Sequence, residues 1–168
     1  QKALTLNPNL GSSYAALGDI FTQDRRLKDA LKLYLAAIKK EISQALKGEF
    51  HATLSEIYTR LRKHGLAIKE AKAAVEIDDK ETRYHEAVAN AYAGAQRYEE
   101  AEQAYQRALA LDPKNVSATR GLCNNFLIAG KLSAAVLNFQ RAIELFPKEA
   151  SLHQGIATAF VKQKKNAE

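Results

Sequence analysis

Residues 98–113 read YEEAEQAYQRALALDP, and this stretch decides the fold. Ala101, Tyr105 and Ala108 lie at i, i+4 and i+7 and so share one face of a helix. Asp112-Pro113 then stop it, because proline cannot continue a helix interior. The pattern returns along the whole chain. Ala3, Ala37, Ala74, Ala108 and Ala142 are separated by 34, 37, 34 and 34 residues. Seven residues before the last four stand Ala30, Ala67, Ala101 and Ala135, and three before stand Tyr34, Ala71, Tyr105 and Phe139. Pro8, Pro113 and Pro147 follow three of the marker alanines at the same offset. An internal period of this size marks one helical unit copied in a row, not a single-core catalytic fold.

Upstream of each copy runs a second set of columns. Leu17, Leu54, Val88, Leu122 and Ile156 are aliphatic; Gly18, Ser55, Ala89, Cys123 and Ala157 are small; Phe21, Tyr58, Tyr92, Phe126 and Phe160 are aromatic. Their spacing predicts a first helix in each unit, followed by a break near Gly94 to Arg97 in the third unit and at Gly130 in the fourth. Helices cross closely only where a side chain is short and a neighbour's ring fills the gap. The alanine columns are therefore packing columns.

These residues resemble the tetratricopeptide repeat (TPR) family. The matching positions are Tyr14, Leu17, Gly18, Phe21, Ala30, Tyr34 and Ala37 in the first full unit, and Tyr92, Ala101, Tyr105, Ala108 and Pro113 in the third. In the fourth they are Leu122, Phe126, Ala135, Phe139, Ala142 and Pro147. The resemblance implies an all-α, right-handed α-solenoid of antiparallel helix pairs. One array is expected over 1–168: the end of a truncated repeat (1–10), repeats over 11–47, 48–81, 82–115 and 116–149, and the first helix of a truncated fifth (150–168). The ends lack polar capping surfaces, so the chain reads as a piece of a longer protein, with self-association through its truncated ends as one expectation.

Two units depart from the pattern. The 37-residue interval carries three extra residues, and Tyr34, Ile38, Ile42 and Leu46 continue a helical stripe. An extra turn on the second helix of that unit, ended at Gly48, is expected. Proline is also missing after the second unit, where Asp79 in Asp78-Asp79-Lys80 is expected to cap the next helix.

Net charge is +6, with +5 of it in residues 1–65. Arg25-Arg26, Lys28, Lys32 and Lys39-Lys40 could attract an acidic partner, but Asp24, Asp29 and Glu41 interrupt them and no aromatic platform accompanies them. Nucleic acid is not the expected partner. No apolar run approaches the roughly 20 residues of a membrane span. Cys123 is the single cysteine, which excludes an internal disulfide, and it reads as a buried alanine substitute. Asn115-Val116-Ser117 matches a glycosylation acceptor but reads as a helix cap. His51, His85 and His153 share one column, yet equivalent helices lie too far apart for nitrogen ligands about 2.1 Å from one zinc; they read as half-buried interface residues. No phosphate loop, His-Glu-x-x-His or Gly-x-Ser-x-Gly occurs. No cofactor, metal or catalytic residue is expected.

In arrays of this family the first helices line a concave groove that takes a peptide. Carried onto this chain, the resemblance places Glu49, Glu56, Arg60, Arg83, Glu86, Asn90, Arg120 and Asn124 there, with Glu56, Arg83, Glu86, Asn90, Arg120 and Asn124 as the candidate site. Asparagine offers a donor and an acceptor to an extended backbone, and arginine offers a fork to a carboxylate. The carboxylate clamp of some members is not reproduced, since Gly155 and Thr158 stand where its further polar residues belong. The expected function is a non-catalytic interaction scaffold binding a protein or peptide segment. The alternative is a docking or regulatory arm of a glycosyltransferase or sulfotransferase whose catalytic domain lies outside this stretch. The expected compartment is cytoplasmic, with a periplasmic or membrane-associated parent as the other option.

Overall fold

The computed structural model describes residues 11–39 and 43–165; the readings placed on 1–10, on 40–42 and on 166–168 lie outside the described residues. Within them the chain is all-α. The first pair is α1 (Gly11–Gln23) and α2 (Leu27–Ile38); the second is α3 (Gln44–Arg60) and α4 (His64–Ile77). The third is α5 (Thr82–Gly94) and α6 (Tyr98–Leu111), the fourth α7 (Val116–Ile128) and α8 (Leu132–Leu145), and α9 (Ala150–Lys165) follows. Among the described residues, contacts run only between neighbouring helices and between successive first helices, the connectivity of a solenoid.

The turn inside each pair is the same device four times. The amide of Arg26, Lys63, Arg97 or Lys131 donates to the carbonyl of Phe21, Tyr58, Tyr92 or Phe126, at 2.8, 2.8, 2.9 and 3.0 Å. This bond satisfies a carbonyl that the helix end would otherwise leave open, and it requires a left-handed residue between. That residue is Arg25, Arg62, Gln96 or Gly130, with φ of 57°, 56°, 61° and 76°. Only the fourth pair supplies the glycine that adopts this conformation without strain.

The alanine columns pack as their spacing predicts. Ala30, Ala67, Ala101 and Ala135 have no exposed surface, and Tyr34, Tyr105 and Phe139 are buried beside them. Opposite these rings the chain removes side chains: a Cβ on Gly18 would lie 2.5 Å from Tyr34, one on Gly121 2.4 Å from Tyr105, and one on Gly155 2.3 Å from Phe139. At the junction of the first two pairs, Phe50 meets Tyr34 edge to face, with centroids 5.2 Å apart. The first-helix columns are covered wherever a second helix follows. Beyond α9 none is described, and Phe160 there is 48% exposed.

The three-residue insertion does not lengthen α2. That helix stops at Ile38, and the additional turn belongs to the start of α3, which has 17 residues against 13 in α5 and α7. Ser43 caps it, its hydroxyl accepting from the Leu46 amide at 3.2 Å. Gly48 is thus no helix stop. It is buried inside α3, where a Cβ would lie 2.5 Å from the Tyr84 hydroxyl. A glycine that looks like a terminator serves to admit a ring from α5. A boundary at residue 48 would cut through α3. The expected cap at Asp79 is also corrected: Glu81 caps α5 through the Arg83 amide, and the Asp79 carbonyl bonds His85 Nε2 at 2.8 Å. The acid one residue before the helix reaches the free amides, and Asp79 lies too far ahead of them.

Candidate functional site

The first helices α3, α5 and α7 present one column of polar residues, Glu56, Asn90 and Asn124, one turn beyond Thr53, Glu86 and Arg120 or close to it. Most of these side chains tie the pairs together. Arg83 reaches back to α3, 3.8 Å from Glu56 and 3.4 Å from the Thr53 hydroxyl. The Asn115 amide donates to Glu86 at 2.6 Å while its carbonyl caps α7 by accepting from Ala118. Arg83 and Glu86 are therefore largely occupied. Their charges complement a neighbouring repeat, which single-chain periodicity does not reveal.

Asn90 and Asn124 differ for a reason that lies one helix away. The Tyr105 hydroxyl donates to Asn90 Oδ1 at 2.6 Å, just as Tyr34 donates to Asp19 at 2.8 Å in the first pair. In the fourth pair the ring is Phe139, which has no hydroxyl to give. Asn124 consequently has no hydrogen bond to another described residue, and Asn90 keeps only its amide group free. Arg120, one turn before Asn124, is exposed and likewise makes no ion pair with a described residue. Arg120, Asn124, Asn90, Ser117, Gly121 and Ile128 line a cleft of about 340 Å³. A contiguous cleft of about 250 Å³ joins Asn90 to Glu56, Thr59 and Arg60. Glu49 is exposed on α3 outside both.

One further polar residue escaped the sequence reading. Asn125 is 3% exposed and donates to the Tyr98 carbonyl at 2.8 Å, but its own carbonyl oxygen has no partner. Its column is otherwise apolar, with Ile20, Ile57, Ala91 and Ala159, and that substitution was the available signal. Tyr105, at the floor, has its phenol pushed up to about 12 by burial, with Glu86 adding to the effect. It stays a neutral hydrogen-bond donor across the ordinary pH range.

The histidine column is engaged locally. His51 Nδ1 lies 2.7 Å from Glu70, His85 bonds the Asp79 carbonyl, and His153 bonds the Pro147 carbonyl at 2.9 Å. Only His85 is buried; His51 is partly covered and His153 exposed. Cys123 is buried, and burial pushes its thiol up to about 12. Among the described residues no helix is long and apolar enough to cross a membrane.

Tetratricopeptide repeat models match residues 15–82 and 82–115. The chain belongs to the tetratricopeptide repeat family. No curated protein matches its sequence. Solved TPR arrays share the fold. PilF of Pseudomonas aeruginosa superposes with a TM-score of 0.76 at 22% identity, covering 92% of this chain and 69% of PilF. YrrB, described as a TPR protein with an unusual peptide-binding site, gives 0.72 at 18% identity over 91% of this chain and 77% of its own. The second TPR domain of human RPAP3, solved with an HSP70 peptide, gives 0.60 at 22% identity over 69% and 94%.

Proposed function

We propose that this TPR array is a non-catalytic scaffold that holds an extended protein segment in the cleft between α5 and α7. The observation that carries the reading is the pair of unspent polar side chains, Arg120 and Asn124, beside the free amide of Asn90 in one cleft. The Arg120 guanidinium and the two asparagine amides are donors, and the Asn124 carbonyl oxygen is an acceptor, at the cleft surface. An extended backbone needs both kinds, whatever its sequence. Ile128, 61% exposed at the cleft rim, adds an apolar contact. The peptide-binding TPR proteins of similar fold support the same reading.

The cleft contains no nucleophile with an adjacent base. Cys123 is buried and held as the thiol, so it offers no nucleophile to the cleft. The test is selection of peptides from a random extended library on the wild-type protein, followed by Arg120→Ala/Asn124→Ala. Both side chains are solvent-accessible and unbonded, so helicity and unfolding midpoint are expected to stay unchanged. Affinity for the selected peptides is expected to fall about tenfold or more, as for losing one charged and one neutral hydrogen-bond set. Equal binding by the variant refutes the cleft as the site.

A further inference from the structure

Two departures from the repeat pattern, and a threonine shared only with the first pair, converge at one place beside the peptide cleft. In the Thr22 column, Thr59 is followed by Ala93, Leu127 and Val161; in the Leu27 column, His64 stands among Leu27, Tyr98 and Leu132; and Gly94 stands where other pairs carry Gln23, Arg60, Ile128 and Lys162. Thr59, His64 and Gly94 meet beside the turns of the second and third pairs. With Arg62, Tyr98 and Ile128 they line a recess of about 540 Å³.

The polar atoms of this recess are unspent. Thr22, Thr119 and Thr158 each turn their hydroxyl back to the carbonyl four residues earlier, at 2.9 Å in all three. Thr59 does not. Its methyl points at Gly94, 3.0 Å from where a Cβ would stand, and its hydroxyl is buried without a partner. His64 Nδ1 is buried without a partner as well, 3.4 Å from the same Cβ position. A buried polar group lacking a hydrogen bond destabilises the fold. Leucine, the residue of the first and fourth pairs, would have avoided that at position 64. Glycine at 94 keeps open the space beside the Thr59 methyl and His64 Nδ1.

We propose that this recess is a carboxylate-binding site, with Thr59 Oγ1 and His64 Nδ1 donating to the carboxylate oxygens and Arg62 supplying the positive charge at the rim. The charge of the lining decides the class. Arg62 is its one permanently charged residue and no aspartate or glutamate lines it, so a cation or ammonium group finds no counter-charge. A single guanidinium matches one negative charge, whereas a phosphate dianion would leave its second charge unpaired in a partly closed recess. Ala93 and Ile128 continue from the recess into the neighbouring peptide cleft. The carboxylate can therefore come from a small free acid or from an acidic side chain of a bound peptide. The site is separate from Arg120 and Asn124 and stands whether or not they hold a peptide.

The readout is the imidazole nitrogen spectrum of His64, assigned by its loss in His64→Leu. Probes are butyrate, a blocked pentapeptide with one central glutamate and no free carboxyl terminus, and inorganic phosphate. A carboxylate is expected to fix the tautomer protonated at Nδ1, giving a saturable shift. Thr59→Val is expected to weaken that response about tenfold, and Gly94→Ala to abolish it while the far-ultraviolet spectrum stays native. Saturation by butyrate alone assigns a free acid; saturation by the pentapeptide at lower concentration assigns a peptide side chain. Absence of a saturable shift with either carboxylate, an equal response to phosphate, or an undiminished response in Thr59→Val would overturn the proposal. Arg120→Ala/Asn124→Ala is expected to leave the butyrate response unchanged, so failure of the peptide cleft and failure of this site are read separately.

Discussion

Gly121→Ala tests the packing rule that builds the array. The added Cβ would stand 2.4 Å from Tyr105 Cε1, 2.6 Å from Cζ and 2.8 Å from the hydroxyl oxygen. The ring must retreat by more than an ångström, yet it is buried at 4% exposure and its hydroxyl is fixed 2.6 Å from Asn90. Overpacking costs about 1–3 kcal/mol, and loss of the hydrogen bond adds about 0.5–1.5 kcal/mol. Alanine returns about 1 kcal/mol through helix propensity. The net expectation is a loss of about 1–3 kcal/mol, or roughly 3–9 °C in melting temperature. Gly65→Ala is the control: nothing lies within 4 Å of its Cβ position, so the same substitution should be neutral or stabilising. Tyr105→Leu in the Gly121→Ala background should recover part of the loss, with a coupling above about 0.5 kcal/mol. Urea and thermal unfolding followed by circular dichroism measure all five proteins, Tyr105→Leu alone completing the cycle. If Gly121→Ala is as stable as the wild type, ring-into-glycine packing does not hold the third pair to the fourth.

Gly130→Ala isolates the turn conformation, because its Cβ would also meet nothing within 4 Å. A left-handed cost of about 1–2 kcal/mol, offset by about 0.4–1 kcal/mol in the unfolded chain, predicts a net loss of about 0.5–1 kcal/mol by urea unfolding; Arg25→Gly should gain a similar amount. Burial raises the Tyr105 phenol to about 12 and raises that of Tyr34, where the bond to Asp19 adds to burial. Since the fold favours the neutral phenols, their contribution is fully present below the unfolded value of about 10 and is lost as pH rises through the folded values. The urea midpoint should fall above pH 10, and less steeply in Tyr105→Phe; identical slopes would contradict the assignment. Cys123, with its thiol near 12, should resist iodoacetamide at pH 8 until denaturant is added, and rapid native labelling would show that α7 opens readily.

The columns were legible because their spacing is set by contact between neighbours of the same kind. Ala30, Ala67, Ala101 and Ala135 could be nothing but packing positions, and the structure leaves none of their surface exposed. The insertion was misread because Ile38, Ile42 and Leu46 fit a helical stripe equally well from either side. The cap at Ser43 and the demand of Tyr84 for space at Gly48 decide the matter, and both require knowing what faces the segment. The polar columns were legible as positions and not as states. That Asn90 is held by Tyr105 while Asn124 is released follows from a Tyr-to-Phe difference fifteen residues downstream in each pair. Thr59, His64 and Asn125 were overlooked because each looks ordinary alone. Comparison with the same column in other pairs singles out His64 and Asn125, and Thr59 differs from Thr22 only in its unbonded hydroxyl.

The ring of Tyr84 lying across α3 at Gly48 has a mechanical consequence. Cohesion in such an array acts only between adjacent members, so it can lengthen like a spring without disrupting any single interior. Here the added turn of α3 gives the second and third coils an extra clasp, since Tyr84 also bonds the Ala45 carbonyl at 3.4 Å. Pulled from its two ends, the molecule should extend first at its other junctions, while the second and third coils keep their pitch.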